Sequence, residues 1–234
     1  MDSFVELPPG VSHLRSNEKM RRDLRQIAVI ALLLLCTSEP VLAADDTPPG
    51  EALVHSLRQG GFNIYFRHAA TDWSQSDQVR GAGDWTSCDP ARIRQLSDEG
   101  RRTAREVGDA IRALGIPVGK VLASPYCRTV ETATLMDLGP VETTTDVMNL
   151  RVAEYFGGRA AIVETARARL GAPPTAGTNT VIVAHGNVAR ESTPVYPSEA
   201  EGAVFRPDDE GGFVFVSRIS PADWARLARE FGNR

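Results

Sequence analysis

The sequence predicts an α/β fold with a ligand crevice at the carboxyl ends of its strands. Short apolar runs rich in aromatic and β-branched residues alternate with helical patterns along residues 51–234. Three of those runs lead directly into Arg67, Ser124 and His185, and in open α/β sheets ligands bind just outside such strand ends. The bulk numbers agree. A chain of 234 residues, 42% hydrophobic and 24% charged, suits one globular domain. It excludes a disordered chain, a collagen-like fibre and a multi-span membrane protein.

Residues 1–43 read as a leader. RRDLR at 21–25 precedes the uncharged run Ile27–Cys36. That run falls short of the about 20 residues a bilayer span needs and fits the apolar region of a secretory signal peptide. TSEPVLA follows, and the small residue Ala43 places the expected cleavage near 43/44. Met20 is an alternative start. An uncleaved N-terminal anchor is the competing reading. Lipidation at Cys36 is disfavoured, because Leu35 stands where a small residue is wanted. The expected location is therefore outside the cell or in the periplasm, with membrane contact only in transit through the signal peptide. Residues 44–50, containing DDTPPG, read as a tether, and 51–234 as one domain.

Within that domain, Glu51–Gln59 has helical spacing (Leu53, Val54, Leu57) and stops at Gly60-Gly61. FNIYF, Phe62–Phe66, reads as a buried strand. Residues 69–95 form a long polar stretch holding Gly81, Gly83 and Pro90, and a loop of that length is usually functional. Ser97 is the expected cap of a helix whose inner face carries Ala104, Val107, Ile111 and Leu114, ending at Gly115. Lys120–Ser124 reads as a strand, Thr129–Leu138 as a helix, Val141–Thr145 as a strand and Arg159–Leu170 as a helix. Asn179–Ala184, NTVIVA, is the clearest buried strand. AVFRP and GFVFVSRI, parted by Asp208-Asp209-Glu210-Gly211, read as a hairpin. Ser220-Pro221 opens a last helix through Trp224 and Leu227.

The formal net charge is −4. The leader's acidic and basic residues cancel, so the domain keeps that charge. Its surface does not attract nucleic acid as a whole, and any anion site must be a local pocket. Removing the leader leaves Cys88 and Cys127. In an oxidising compartment they form one disulfide or remain two thiols. Neither reads as a nucleophile. Zinc binding is not expected, since only His55, His68 and His185 remain and no Cys/His cluster is closely spaced.

The chemistry concentrates at the strand ends. Arg67-His68 follows one strand. Arg128 lies in SPYCRTVETA at the start of a helix after the next, and His185 lies in VAHGN after the third. Helix N-termini favour anions, and arginine adds a planar fork of donors. Two arginines and two histidines converging from three strand ends suit a dianionic phosphate.

RHAAT (67–71), SPYCRTVETA (124–133) and VAHGN, in this order and spacing, resemble the histidine phosphatase superfamily in its phosphoglycerate-mutase-like branch. The resemblance covers essentially the whole domain. It implies a doubly wound three-layer α/β/α sandwich with its site at the strand ends. It implies that His68 attacks phosphorus and becomes a phosphohistidine, later hydrolysed by water, with no cofactor. Arg67, Arg128 and His185 would hold the phosphoryl oxygens, stabilising charge that spreads as the group transfers. Members usually place an acidic residue after the second arginine, a few residues before a glycine. LRVAEYFGG offers Glu154 as that general acid, with Glu131 a rival and Glu191 and Glu201 more distant ones.

Two positions depart from the pattern. Ala69 stands where glycine is frequent, and Ser74 where some members carry an asparagine that touches phosphate; its hydroxyl is expected to make a weaker contact. The expected activity is hydrolysis of a small phosphomonoester. A phosphoglycerate-mutase-like transferase is the runner-up, disfavoured by export and by the few basic residues in 69–95. A phosphate-binding domain without turnover is the third reading.

Overall fold

The computed structural model describes residues 49–232. The expected leader and cleavage point, and the start of the tether, lie outside the described residues. One sheet contains β1 (Asn63–Arg67), β2 (Val118–Ala123), β3 (Val141–Thr143), β4 (Asn179–Ala184), β5 (Gly202–Pro207) and β6 (Phe213–Ile219), in the order β3-β2-β4-β1-β5-β6. The first four run parallel, while β5 and β6 are antiparallel additions at one edge. The helices are α1 (Glu51–Gln59), α2 (Asp98–Ala113), α3 (Cys127–Met136), α4 (Arg159–Gly171), α5 (Gly186–Ser192) and α6 (Pro221–Phe231).

Alternation along each strand makes this a three-layer sandwich. Ile64 and Phe66 of β1 and Val181 and Val183 of β4 face a core closed by Val54 and Leu57 of α1, Ile111 of α2, Met136 of α3 and Trp224 of α6. Tyr65, Ile182 and Ala184 face the opposite core, closed by Ile162 and Leu170 of α4 and Val188 of α5. Strand β4 is buried at all six positions, as a parallel strand covered on both faces must be. This is why NTVIVA is apolar from Val181 onward.

Capping follows the local sequence. The Ser97 hydroxyl accepts the Gly100 N–H at 3.0 Å and opens α2. Ser220 and Asp223 form a reciprocal capping box on α6, with Pro221 in the first turn. Boundaries differ from the sequence expectation by a few residues: β1 takes in Arg67, β2 starts at Val118, and α3 starts at Cys127 and stops at Met136. Besides the short 3₁₀ turns Asp84–Thr86 and Thr145–Val147, two further elements were not foreseen. Helix α5 directly after His185 is too short for a periodicity signal, and the turn Leu150–Phe156 is a 3₁₀ helix kinked at Val152.

The long segment after His68 is a structured loop. Cys88 and Cys127 are joined as a disulfide with Cα atoms 5.4 Å apart, which decides between the two cysteine readings. The bond ties the loop to the first residue of α3. At its end the loop returns to its beginning, where the Ser97 N–H donates to the Ala70 carbonyl at 3.0 Å. A Cβ built on Gly100 would lie 2.0 Å from that same carbonyl oxygen, so only glycine lets the first turn of α2 press on the backbone beside His68.

The disulfide closes a loop of 39 residues. On a chain-entropy model this limits the unfolded state by about 3–4 kcal/mol. The double variant Cys88→Ser/Cys127→Ser is expected to lose that much stability in urea unfolding, and a reductant should then shift the wild-type midpoint but not the variant's.

Candidate functional site

Parallel pairing of β1 and β2 on either side of β4 brings three chain segments to one edge of the sheet. The register continues past the strands: the His68 N–H donates to Ala184 O at 2.9 Å and the Ser124 N–H to Val183 O at 3.0 Å. The two imidazoles meet there edge to face, with ring centroids 5.7 Å apart. Both are buried, His68 with 4% and His185 with 1% of its surface exposed.

Each ring is held by the backbone around it. Nδ1 of His68 lies 2.8 Å from the Ala69 carbonyl oxygen. A carbonyl only accepts, so Nδ1 carries the proton and Nε2 keeps its lone pair. Nε2 of His185 lies 2.9 Å from Ser124 Oγ. The Tyr65 hydroxyl donates to the His185 carbonyl at 2.7 Å and accepts its N–H at 3.1 Å. Tyr126 packs edge-on against His185, centroids 4.8 Å apart. Burial raises the pKa of the Tyr126 phenol to about 12, so it stays neutral beside the imidazole.

Arg128 is 1% exposed, and Asp77 from the long loop engages it with both oxygens, at 2.8 and 3.1 Å. Its guanidinium lies 4.5 Å over the Tyr126 ring. Thr132, one turn further along α3, accepts the Ala69 N–H at 3.1 Å and donates to the Arg128 carbonyl at 2.7 Å. That side chain fixes Arg128 relative to the backbone after His68. Arg67, at the end of β1, reaches Glu199 at 3.4 Å.

The structure therefore gathers Arg67, His68, Arg128 and His185. It adds Arg94, which sequence reasoning missed. Arg94 lies 3.9 Å over the ring of Trp73. Its own N–H donates to Asp77 Oδ1 at 3.2 Å and its carbonyl accepts from Arg128 at 3.4 Å. Burial and the neighbouring Arg128 charge pull its pKa down from the ordinary value, the mark of crowded cations. The loop 69–95 thus supplies a site cation after all. The sequence signal was its place directly before the QLS turn leading into α2, which is too slight to read alone.

Two expected residues do not join. The Ser74 hydroxyl donates to Asp72 Oδ1 at 2.7 Å in an exposed turn, so its donor is spent away from the imidazoles. Glu154 is exposed on the 3₁₀ helix, because the kink at Val152 turns that buried side chain inward in its place. The rival carboxylates are committed elsewhere: Glu131 to Arg101 at 2.7 Å, Glu191 to Arg159, and Glu201 to the Ser198 N–H at 2.6 Å.

Burial lowers both histidine pKa values well below the ordinary 6.5. The positive charge of Arg128 adds to this, as do Arg67 and Arg94, and the Ala69 carbonyl opposes it at His68. Both rings are neutral at neutral pH. Four donor-bearing atoms here are buried with no protein partner: Arg94 Nε, the Tyr126 hydroxyl, Arg128 Nε and His185 Nδ1. Buried polar groups are nearly always satisfied. Unsatisfied donors around neutral imidazoles at a positively charged site fit a compact oxyanion. Volume alone would point elsewhere, to a cleft of about 1150 Å³ beside the disulfide, lined by Asp72, Arg101 and Glu131. That cleft touches neither imidazole, and three acids, Asp72, Asp98 and Glu131, line it against the single cation Arg101.

Residues 64–172 match the model of the histidine phosphatase superfamily (branch 1). His185 lies beyond the matched segment and joins the site through the sheet register. The chain is similar to SixA, a protein histidine phosphatase solved with tungstate (16% identity, TM-score 0.45, covering 69% of this chain and 98% of that one). It is also similar to the phosphoserine phosphatase of Entamoeba histolytica solved with 3-phosphoglyceric acid (16% identity, TM-score 0.48, covering 70% and 98%). No curated protein matches the chain.

A charge-assisted hydrogen bond contributes about 1.5–3 kcal/mol. Arg94→Met is expected to weaken binding of inorganic phosphate at least tenfold in titration calorimetry. Unchanged affinity would remove Arg94 from the anion site.

Proposed function

We propose that this protein is a phosphomonoesterase that works through a phosphohistidine on Nε2 of His68. One observation carries the proposal: the Ala69 carbonyl fixes the His68 proton on Nδ1, leaving the opposite lone pair free where unpartnered donors of Arg94, Arg128 and His185 converge. A neutral imidazole is a nucleophile and an imidazolium is not. The depressed pKa keeps the nucleophilic form populated in mild acid.

In the proposed reaction, Nε2 attacks phosphorus and the bond to the ester oxygen breaks. Little covalent help is needed in phosphoryl transfer, so positioning and charge stabilisation do most of the work. Arg67, Arg94 and Arg128 hold the equatorial oxygens. His185 can receive the Ser124 proton at Nε2 and donate from Nδ1. Water then attacks the phosphohistidine, the P–N bond breaks, and inorganic phosphate leaves. The covalent intermediate divides one difficult step into two.

We also propose that the domain acts outside the cytosol. The disulfide between Cys88 and Cys127 supports this, because such bonds persist in oxidising compartments.

His68→Ala is expected to abolish release of phosphate from p-nitrophenyl phosphate, and capture of label under alkaline quench should fail with it. Base-stable, acid-labile label on wild-type His68 supports the intermediate; full activity in the variant rules it out. The pH dependence has a definite sign. A lowered His68 pKa means the nucleophile is lost only as pH falls below the ordinary 6.5. The acidic limb of kcat/KM should therefore lie below that value. A limb at or above 6.5 would contradict a buried neutral nucleophile.

A further inference from the structure

The proposed reaction requires a proton at the departing ester oxygen, and Glu154, the carboxylate expected from sequence, is exposed and pairs with nothing in the cluster. Asp77 is at the site, but Arg128 grips both its oxygens and the Arg94 N–H takes one of them again. Glu199 differs from both. Its Oε1 makes only a 3.4 Å contact with Arg67, and its Oε2 has no hydrogen-bond partner among the described residues.

The backbone fixes Glu199 at the site. The next residue, Ala200, donates its N–H to the carbonyls of both Arg67 and His68, at 3.1 and 3.3 Å. Ala200 is 2% exposed and has φ +58°. A non-glycine residue in that left-handed region costs about 1–2 kcal/mol. Such strain persists where surrounding contacts over-determine it, commonly at functional sites. Here the Ala200 methyl packs with Ala69, Leu96 and Ala104. The strained turn delivers Glu199 beside the nucleophile's own backbone.

Resting on the phosphohistidine chemistry above, we propose that Glu199 is the proton carrier of the reaction. An entering phosphate dianion competes for Arg67 and lies next to the carboxylate. On this binding Glu199 takes up one proton from solvent. As the P–O bond breaks, that proton passes to the leaving oxygen, and the product departs as a neutral alcohol. The resulting carboxylate then accepts a proton from the water that attacks the phosphohistidine. Phosphate is released and the acid is restored for the next turnover.

The test compares aryl phosphates whose leaving groups span phenol to p-nitrophenol, in wild type, Glu199→Gln and Glu199→Asp. General acid catalysis typically contributes 10²–10⁴-fold. Glu199→Gln should lose at least about 10²-fold on phenyl phosphate and much less in the phosphorylation step on p-nitrophenyl phosphate. It should also accumulate phosphohistidine in a rapid burst, since the second step loses its base. Glu199→Asp keeps an acid at a shorter reach and should fall between, which preserves the test if the glutamine variant does not fold. Equal slowing across the series with no accumulation would make Glu199 only a partner that positions Arg67, and would overturn the proposal. A wild type that forms no phosphohistidine would instead overturn the parent reading, so the two failures are distinct.

Discussion

A guanidinium with 1% exposure cannot stand uncompensated inside a protein, and the design of this site follows from that constraint. Removing a charge from water costs several kcal/mol, and the cost is recovered only with close, well-aligned partners. Asp77 supplies both of its oxygens to Arg128. Asp77 belongs to the long loop, so the electrostatic need of a helix residue dictates where that loop runs. The disulfide acts at the neighbouring position, joining Cys127 to Cys88 of the same loop. Arg94 is carried into the site because its own backbone bonds to Asp77 and Arg128. One buried ion pair thus sets Arg94 beside Arg128.

The same logic shows how far the sequence could be read. Arg67, His68 and His185 were legible because they stand at the ends of apolar strands, and Arg128 because it opens the helix that follows one; parallel pairing about β4 aligns strand ends without help from side chains. The three-layer architecture was legible for a similar reason: strand and helix periods differ, and the cap at Ser97 and the box at Ser220 are local signals. Asp77, Arg94 and Glu199 were not legible. They sit on loops with no period, and their places depend on an ion pair, a disulfide and a left-handed alanine. Glu154 failed for a related reason. Whether a loop carboxylate points inward depends on which neighbour is buried, and Val152 takes the inward position.

The electrostatics of the cluster are coherent without fine tuning. Burial alone disfavours an imidazolium at His68 and His185, and three guanidiniums disfavour it further. The field that makes the rings neutral also draws in an anion. On the proposed mechanism, keeping the His68 nucleophile neutral and attracting the substrate therefore share one cause. The overall charge of −4 confines this attraction to the hollow, which disfavours extended polyanions and favours a compact phosphoryl group.

Counting charges at the site links that field to the proton carrier. Arg67, Arg94 and Arg128 stand against Asp77 and Glu199, the imidazoles are neutral, and the charge of the exposed Arg151 also reaches Arg94 and Tyr126. A phosphate dianion takes up this surplus positive charge. Negative charge added beside a carboxylate favours its protonated form. Asp77 is held by both guanidinium arms, whereas Glu199 has a free oxygen and loses its grip on Arg67 to the phosphate. The proton would settle on Glu199, which is where the departing oxygen needs it. On this view substrate binding itself arms the acid: the acid is charged only when a dianion is present to require it.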